Sequence, residues 1–157
     1  MADRQGKKYD LTDFNADNYG TETQRATAAT YSFPNLSEER ARSAQLGRAV
    51  GDLLESAMFC GGIDVMPFTI RDESLVVVAC QGNETVGVSV IDPTGDVARD
   101  VVTWMEPNQE TWVAHVLKIE LLRNARAAGI DHVIVQGGTA TAAIYEALGL
   151  HPIEAAA

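Results

Sequence analysis

The 157-residue chain predicts an α/β (α+β) domain in which helices flank a central mixed sheet. Helical and strand-like patterns alternate through residues 75–150, and a long amphipathic helix lies between two short apolar runs. A helix that joins two strands of one sheet is a crossover connection, so the loop before it lies at the carboxyl end of the preceding strand. Ligands of such sheets bind at that end, which is near residues 106–114 here.

Three strands are predicted before the long helix. Residues 75–80 (LVVVAC) are an apolar run, which indicates a buried strand. A tight turn at Gly82 and Asn83 leads into residues 85–91 (TVGVSVI), so the two strands form a hairpin. After a second turn, residues 97–105 are predicted as the third strand.

The long helix begins near Trp112 and ends before Gly129, with apolar residues three and four positions apart along one face. Residues 131–135 (DHVIV) are short and rich in β-branched side chains, which indicates a strand. Residues 139–148 then predict a second helix, ended by Gly149. An apolar helix face of this kind requires a sheet to pack on.

Upstream, residues 37–59 predict a helix, since a capping residue is followed by acidic residues in the first turn. Residues 63–70 are a possible strand. Pro67 interrupts that run and lacks a backbone donor, so it favours an edge strand or a connector over a central strand.

Residues 1–36 are predicted to be an extended polar arm, separate from a domain over residues 37–157. Their composition cannot bury enough apolar surface to fold alone. We expect the arm to be held by its own domain, a sister copy or a larger assembly, and residues 27–33 to supply a first strand. Six scattered apolar anchors are available: Tyr9, Leu11, Phe14, Tyr19, Tyr31 and Phe33.

The composition of the chain disfavours several classes of function. The net charge of -10 disfavours nucleic-acid and anionic-membrane surfaces. Cys60 and Cys80 have no partner at metal-ligand spacing, and the three histidines are not spaced to share a metal, so no metal site is expected. We find no signal peptide and no membrane-spanning window. A soluble, cytoplasmic protein is expected.

The run LLRNARAAGIDHVIVQGG, followed by TATAAIYEALGLHPI, resembles the second half of the GNAT superfamily of acyl-CoA-dependent N-acyltransferases. The resemblance covers roughly the final third of the chain. It implies a GNAT-like fold, acetyl-CoA as cofactor, and Tyr145 as the general acid that protonates the departing thiolate. It also implies a further carboxyl-terminal strand or hairpin, which this chain lacks after residue 153 unless the arm or another subunit supplies it.

The cofactor loop departs from the pattern that this resemblance implies. Family members place Arg or Gln, two residues, Gly, one residue, then Gly or Ala where the long helix starts, and its N–H groups hold the diphosphate. The matching positions here are Gln109, Trp112 and Ala114, and a one-residue shift would bring Val113 to the central position. We predict that the Trp112 indole blocks the diphosphate, while Glu110 adds negative charge beside it.

Two hypotheses follow. The first is a degenerate, non-catalytic GNAT-like structural or interaction module without a cofactor. It would dock through its arm on copies of itself or on other subunits of a large assembly, such as a bacteriophage particle, and would then be found in the virion. The second is an active acetyl-CoA-dependent N-acetyltransferase, with Tyr145 as acid and Gln109, Val113 and Ala114 holding the cofactor. Glu106, at the end of the third strand, is a weaker candidate for the base.

Overall fold

The computed structural model describes residues 6–35, 51, 73–82, 84–106, 109–136 and 140–153. Within these ranges, seven strands form one mixed sheet that helices flank, which confirms the predicted α+β class. The helix predicted over residues 37–59, apart from residue 51, and the strand predicted over residues 63–70 lie outside the described residues.

The described elements follow the chain in a simple order. The strands are β1 Gly6–Asp10, β2 Tyr31–Ser32, β3 Leu75–Gln81, β4 Glu84–Thr94, β5 Val97–Met105, β6 His132–Gln136 and β7 Pro152–Ile153. The helices are α1 Gly20–Ala28, α2 Thr111–Ala127 and α3 Ala140–Ala147, and a 3-10 helix, Ala16–Tyr19, precedes α1.

The sheet has the strand order β2-β3-β4-β5-β6-β1-β7. All neighbouring strands are antiparallel except β5 and β6, which are parallel and joined by α2 as the predicted crossover. These two strands pair only from Val97 with His132 to Arg99 with Ile134. Beyond Arg99, β5 continues for six residues to Met105 without a described partner in β6. The two strands therefore part toward their carboxyl ends.

The second half of the chain agrees closely with its predicted pattern. The hairpin, the third strand, the long helix, the strand after it and the second helix are all present within a few residues of their predicted bounds. Gly129 and Gly149 follow α2 and α3 with φ of 86° and 84°, a conformation that glycine adopts without a steric penalty. These glycines end both helices.

The prediction of a strand over residues 27–33 is wrong in its first half. Only Tyr31–Ser32 is extended, antiparallel to β3, while Thr27 and Ala28 end α1. Ala26 is buried on the inner face of α1, so packing of this helix outweighs the local strand preference of the threonines. Thr30, at φ 65°, makes the turn between helix and strand.

The described part of the arm completes the sheet. β1 lies between β6 and β7 and pairs with both, a placement that the sequence patterns did not predict beyond the possibility of a strand from the arm. Tyr9 and Leu11 are fully buried, and the other four predicted anchors pack against the same core. Residues 6–35 thus contribute to the sheet and the core, while the division of the chain at residue 36 stays a prediction.

Candidate functional site

A cleft of about 550 Å³ opens at the carboxyl end of β5, beyond the point where β5 and β6 part. The amino-terminal turn of α2 forms a second wall and α3 forms a third. The lining residues are Thr103, Trp104, Met105, Gln109, Glu110, Thr111, Ala114, His115, Thr141, Ala143, Ile144 and Ala147. A cleft of this volume accommodates a ligand of ordinary metabolite size.

The structure brings only some of the predicted site residues to this cleft. Gln109 and Ala114 line it. Val113 is fully buried in the core and does not line the cleft. His115 is also part of the wall.

Trp112 lies on the arm side of α2 and does not line the cleft. Its ring packs edge-on against Tyr31 with 5.6 Å between centroids, and the Arg25 guanidinium lies 4.4 Å from the indole centroid. The indole N–H donates to the Glu110 carboxylate. The predicted obstruction of a diphosphate by this indole stays a prediction, but the ring leaves the cleft itself open.

Contacts from the arm fix the start of α2. The Tyr31 hydroxyl donates to the Gln109 side-chain carbonyl, and an Arg25 nitrogen lies 3.5 Å from the Glu110 carboxylate. Glu110 is the N-cap residue of α2, yet its side chain makes no capping hydrogen bond. Its negative charge therefore lies at the end of the helix where an anionic ligand would bind.

Behind the cleft lies a buried ion pair. The Lys118 side chain is fully buried and donates three hydrogen bonds, to Asp100 Oδ2 at 2.6 Å and to Ser89 Oγ and Thr103 Oγ1 at 2.7 Å. Burial lowers the pKa of Lys118, and Asp100 opposes that effect. Three acceptors match the three protons of an ammonium group, so the charged form is fully hydrogen-bonded.

A β-bulge in β5 makes this network possible. Val90 pairs with Val102 and Ile91 pairs with Asp100, so Val101 is an extra residue in β5. The bulge shifts the alternation of side chains by one position. As a result, Asp100 and Thr103 both contact Lys118 although an odd number of positions separates them.

Tyr145 belongs to this network and not to the cleft wall. Its side chain is fully buried, and its hydroxyl donates to Asp100 Oδ2 at 2.6 Å. Its ring stacks on Tyr9 of β1, with 5.0 Å between centroids. Burial, followed by the negative charge of Asp100, raises the pKa of Tyr145 well above its ordinary value of 10.0. The role of Tyr145 as a general acid stays a prediction.

The sequence carried one overlooked signal of the buried pair. Lys118 stands four residues after Ala114 and four before Leu122, both on the buried face of α2. A lysine on such a stripe requires a buried partner. Asp100 was harder to identify as that partner, because its inward direction depends on the bulge at Val101.

Two negative findings apply to the described residues alone. No three His, Cys, Asp or Glu side chains there gather in an arrangement that would hold a metal ion. None of the helices described in the chain is both long and apolar enough to cross a bilayer.

Comparisons with known proteins show similarity at the level of structure. No protein-family model matches the sequence, and no curated protein matches it. One similar structure is the carboxyl-terminal DUF2156 domain of a putative lysylphosphatidylglycerol synthetase from Agrobacterium fabrum. Its TM-score is 0.65 at 10% identity, over 85% of this chain and 46% of that one.

Two acetyltransferase structures are also similar. A GCN5-related N-acetyltransferase from Kribbella flavida matches with a TM-score of 0.60 at 11% identity, over 94% of this chain and 54% of that one. The aminoglycoside acetyltransferase meta-AAC0020, from an uncultured soil metagenomic sample and in complex with sisomicin, matches with a TM-score of 0.58 at 15% identity. The match covers 76% of this chain and 86% of that one.

The chain spans about half the length of the Agrobacterium and Kribbella structures. At identities of 10 to 15%, these similarities concern the fold, not the activity. The parallel β5 and β6 that part around a cleft, the crossover helix α2 and the matches to acetyltransferase structures agree with the resemblance seen in the sequence. The chain therefore has the fold of the GCN5-related N-acetyltransferases.

Proposed function

We propose that this chain is a non-catalytic GNAT-fold interaction module that keeps a ligand cleft but does not transfer acyl groups. The observation that carries the proposal is the position of Tyr145. Its hydroxyl is buried and donates to Asp100, and neither Tyr145 nor Asp100 lines the cleft. A general acid must reach the departing group within hydrogen-bond distance, directly or through one water.

The start of α2 supports the same proposal. An acyl-CoA diphosphate needs free backbone N–H groups and a favourable field at a helix start. The Val113 N–H already donates to the Glu110 backbone carbonyl, and the Glu110 carboxylate places negative charge at this point. Arg25 offsets the negative charge of Glu110 only in part, because both side chains of this ion pair are more than half exposed and water screens their attraction.

Acetyl-CoA binding tests the proposal. We expect a high concentration of acetyl-CoA to leave the melting temperature unchanged, because a ligand stabilises a protein only when it binds the native state. We also expect no acetyl transfer to a panel of primary amines. Scanning calorimetry and mass spectrometry of the amines supply the two measurements.

A matched pair of variants makes the calorimetric result specific to the cleft. Ala143 is exposed and lines the cleft, so Ala143→Trp fills it, whereas Ala127→Trp places the same side chain at the exposed end of α2. A melting temperature that rises with acetyl-CoA in the parent protein and in Ala127→Trp, but not in Ala143→Trp, would contradict the absence of cofactor binding.

An N-acetyltransferase is the second candidate, and the open cleft favours it. The Trp112 ring packs against Tyr31 and Arg25 and so leaves room between β5, α2 and α3. The similar acetyltransferase structures support the same reading. Acetyl transfer that Ala143→Trp abolishes would establish this candidate and exclude the non-catalytic one.

We propose further that, in a large assembly such as a bacteriophage particle, this module self-associates through β7. β1 is paired on both sides and cannot accept another strand, whereas β2 and β7 are the outermost strands of the described sheet. Ile153 of β7 is the exposed large apolar side chain of the described residues. Ile153→Lys should abolish any dimer or larger species that light scattering detects.

A further inference from the structure

Thr103 connects the buried ion pair to the cleft. It lines the cleft and is partly exposed there. Its Oγ1 accepts a hydrogen bond from Lys118 at 2.7 Å and lies 2.8 Å from Ser89 Oγ. Of the five side chains in the network, which are Ser89, Asp100, Thr103, Lys118 and Tyr145, Thr103 is the one that lines the cleft.

Lys118 cannot itself donate to a ligand. An ammonium group has three N–H donors, and here all three are used by Asp100, Ser89 and Thr103. The lysine is also fully buried. Its influence on the cleft therefore passes through the hydroxyl of Thr103.

The Thr103 proton has two possible directions. Ser89 can donate to Thr103 Oγ1 at 2.8 Å or to the Val102 carbonyl at 3.4 Å. When Ser89 uses the shorter contact, Thr103 Oγ1 accepts from both Ser89 and Lys118, and its own proton is left to point into the cleft. The reverse arrangement leaves Ser89 with the longer and weaker contact.

We propose that Thr103 is the donor that recognises the carbonyl oxygen of a ligand in the cleft. Accepting from an ammonium group polarises the hydroxyl, which strengthens the bond that it donates in turn. The proposal rests on the proposed use of the cleft for binding. It concerns the side chain of Thr103 and requires no acyl transfer.

The remaining walls define the body of the ligand. Trp104, Met105 and Ile144 supply an apolar surface. Glu110 places negative charge at the wall, and Asp100 balances the charge of Lys118, so the network offers no net positive charge to an anion. The class of ligand is a neutral carbonyl compound with an apolar body.

Acetophenone and ethylbenzene test this inference as a matched pair, since they differ chiefly in the carbonyl group. Both can be titrated against the fluorescence of Trp104, which lines the cleft, in a Trp112→Phe background. We expect Thr103→Val to weaken acetophenone binding about tenfold, the effect of one hydrogen bond to a polarised donor. The same variant should change ethylbenzene binding by less than about twofold, and Thr103→Ser should keep the affinity for acetophenone.

Infrared spectroscopy of acetophenone bound to protein that retains Thr103 gives a second test. This test does not depend on whether Thr103→Val folds. A hydrogen bond to the ketone should move the carbonyl stretching band of bound acetophenone to lower frequency than in an apolar solvent. When Ala143→Trp fills the cleft, only the band of free aqueous acetophenone should remain. An unshifted band in the bound complex overturns the assignment of Thr103 as donor.

The outcomes separate this inference from the proposed function. If both probes bind and Thr103→Val affects them equally or not at all, the role of Thr103 is refuted while use of the cleft stands. If neither probe binds at its solubility limit, the proposed use of the cleft fails, and the inference fails with it. If acetyl-CoA binds and is turned over, the non-catalytic proposal falls, but the predicted effect of Thr103→Val on acetophenone is unchanged.

Discussion

Lys118 carries its side-chain charge in the protein interior. Its ammonium group has lost all contact with water and depends on three oxygen acceptors from β4 and β5. The energetic consequence of such a pair is asymmetric. A buried pair adds little net stability, yet removal of one partner leaves the other charge buried without compensation.

Lys118→Met should therefore lower the free energy of unfolding by about 3–5 kcal/mol, because Asp100 would remain buried. Lys7 gives a matched control, since it is about half exposed and lies 3.6 Å from Glu146. Lys7→Met should cost about 1 kcal/mol or less. Urea denaturation measures the unfolding free energy of both variants. Equal effects of the two substitutions would show that Lys118 is not held as a buried charge.

Tyr145 makes stability depend on alkaline pH. Its pKa in the folded protein is raised, so its stabilising contribution is complete below its ordinary pKa of 10.0 and is lost as the pH rises through the folded value. Tyr145→Phe lacks this contribution. The difference in unfolding free energy between the parent protein and Tyr145→Phe should therefore narrow as the pH rises above 10.0.

Tyr9→Phe is the control for that experiment. The hydroxyl of Tyr9 is buried without a hydrogen-bond partner among the described residues, whereas that of Tyr145 donates to Asp100. At neutral pH, Tyr9→Phe should be neutral or stabilising, and Tyr145→Phe should cost about 1–3 kcal/mol. A difference between the parent protein and Tyr145→Phe that stays constant up to pH 12 would contradict a raised pKa for Tyr145.

Among the elements, β1 departs furthest from what the sequence suggested. It is short and mostly polar, with the sequence GKKYD, yet it lies between β6 and β7. Its side chains alternate, so Tyr9 enters the core and Lys8 points to the opposite face of the sheet. Lys7 is on the face of Tyr9 but is exposed beside Glu146. Pairing along both edges and the buried ring of Tyr9 hold β1 in the sheet.

Leu11 should be as important to the fold as a residue of the central strands. It follows β1, is fully buried, and its N–H donates to the Asp131 carbonyl. Leu11→Ala should lower the free energy of unfolding by about 2–5 kcal/mol. Asp13→Ala, two positions later and exposed, should change it by about 0.5 kcal/mol or less. Equal, small effects would show that the arm is not part of the cooperative core.

Elements with strong local patterns could be predicted from the sequence, and those that depend on distant pairing could not. α2 carries a helical apolar periodicity and β3 is a short, continuous apolar run, and each pattern indicates its type without reference to the rest of the chain. β1 has no such pattern, because its structure is imposed by β6 and β7. The same distinction applies to the site. Gln109 and Ala114 line the cleft, while their role in cofactor binding stays a prediction, and the positions of Asp100 and Thr103 depend on a bulge that the sequence does not reveal.

At the scale of the whole molecule, the arm and the second half of the chain share one core. The main buried cluster includes Tyr9 and Leu11 together with side chains of β3, β6, α2 and α3. The Tyr19 hydroxyl donates to the Leu148 carbonyl, and Tyr31 donates to Gln109. We therefore expect the described parts to unfold together.

Two tryptophans make that cooperativity measurable. Trp104 packs against the cluster of valines that includes Val88 and Val102, while Trp112 packs between Tyr31 and Arg25 of the arm. Trp104→Phe and Trp112→Phe each leave one reporter. In each variant, the fluorescence transition should coincide with the loss of far-ultraviolet circular dichroism, as two-state unfolding requires. An earlier transition for the Trp112 reporter would mean that the arm detaches first.

The position of β1 also has a consequence for biosynthesis. The ribosome makes Gly6–Asp10 long before it makes the neighbours of this strand, His132–Gln136 and Pro152–Ile153. Until then both edges of β1 lack their hydrogen-bonding partners. The loop that joins β1 to β6 is long, so its closure costs entropy and the pairing forms slowly. The sheet can therefore be completed only after Ile153 has been synthesised, and until then the unpaired edges are open to aggregation.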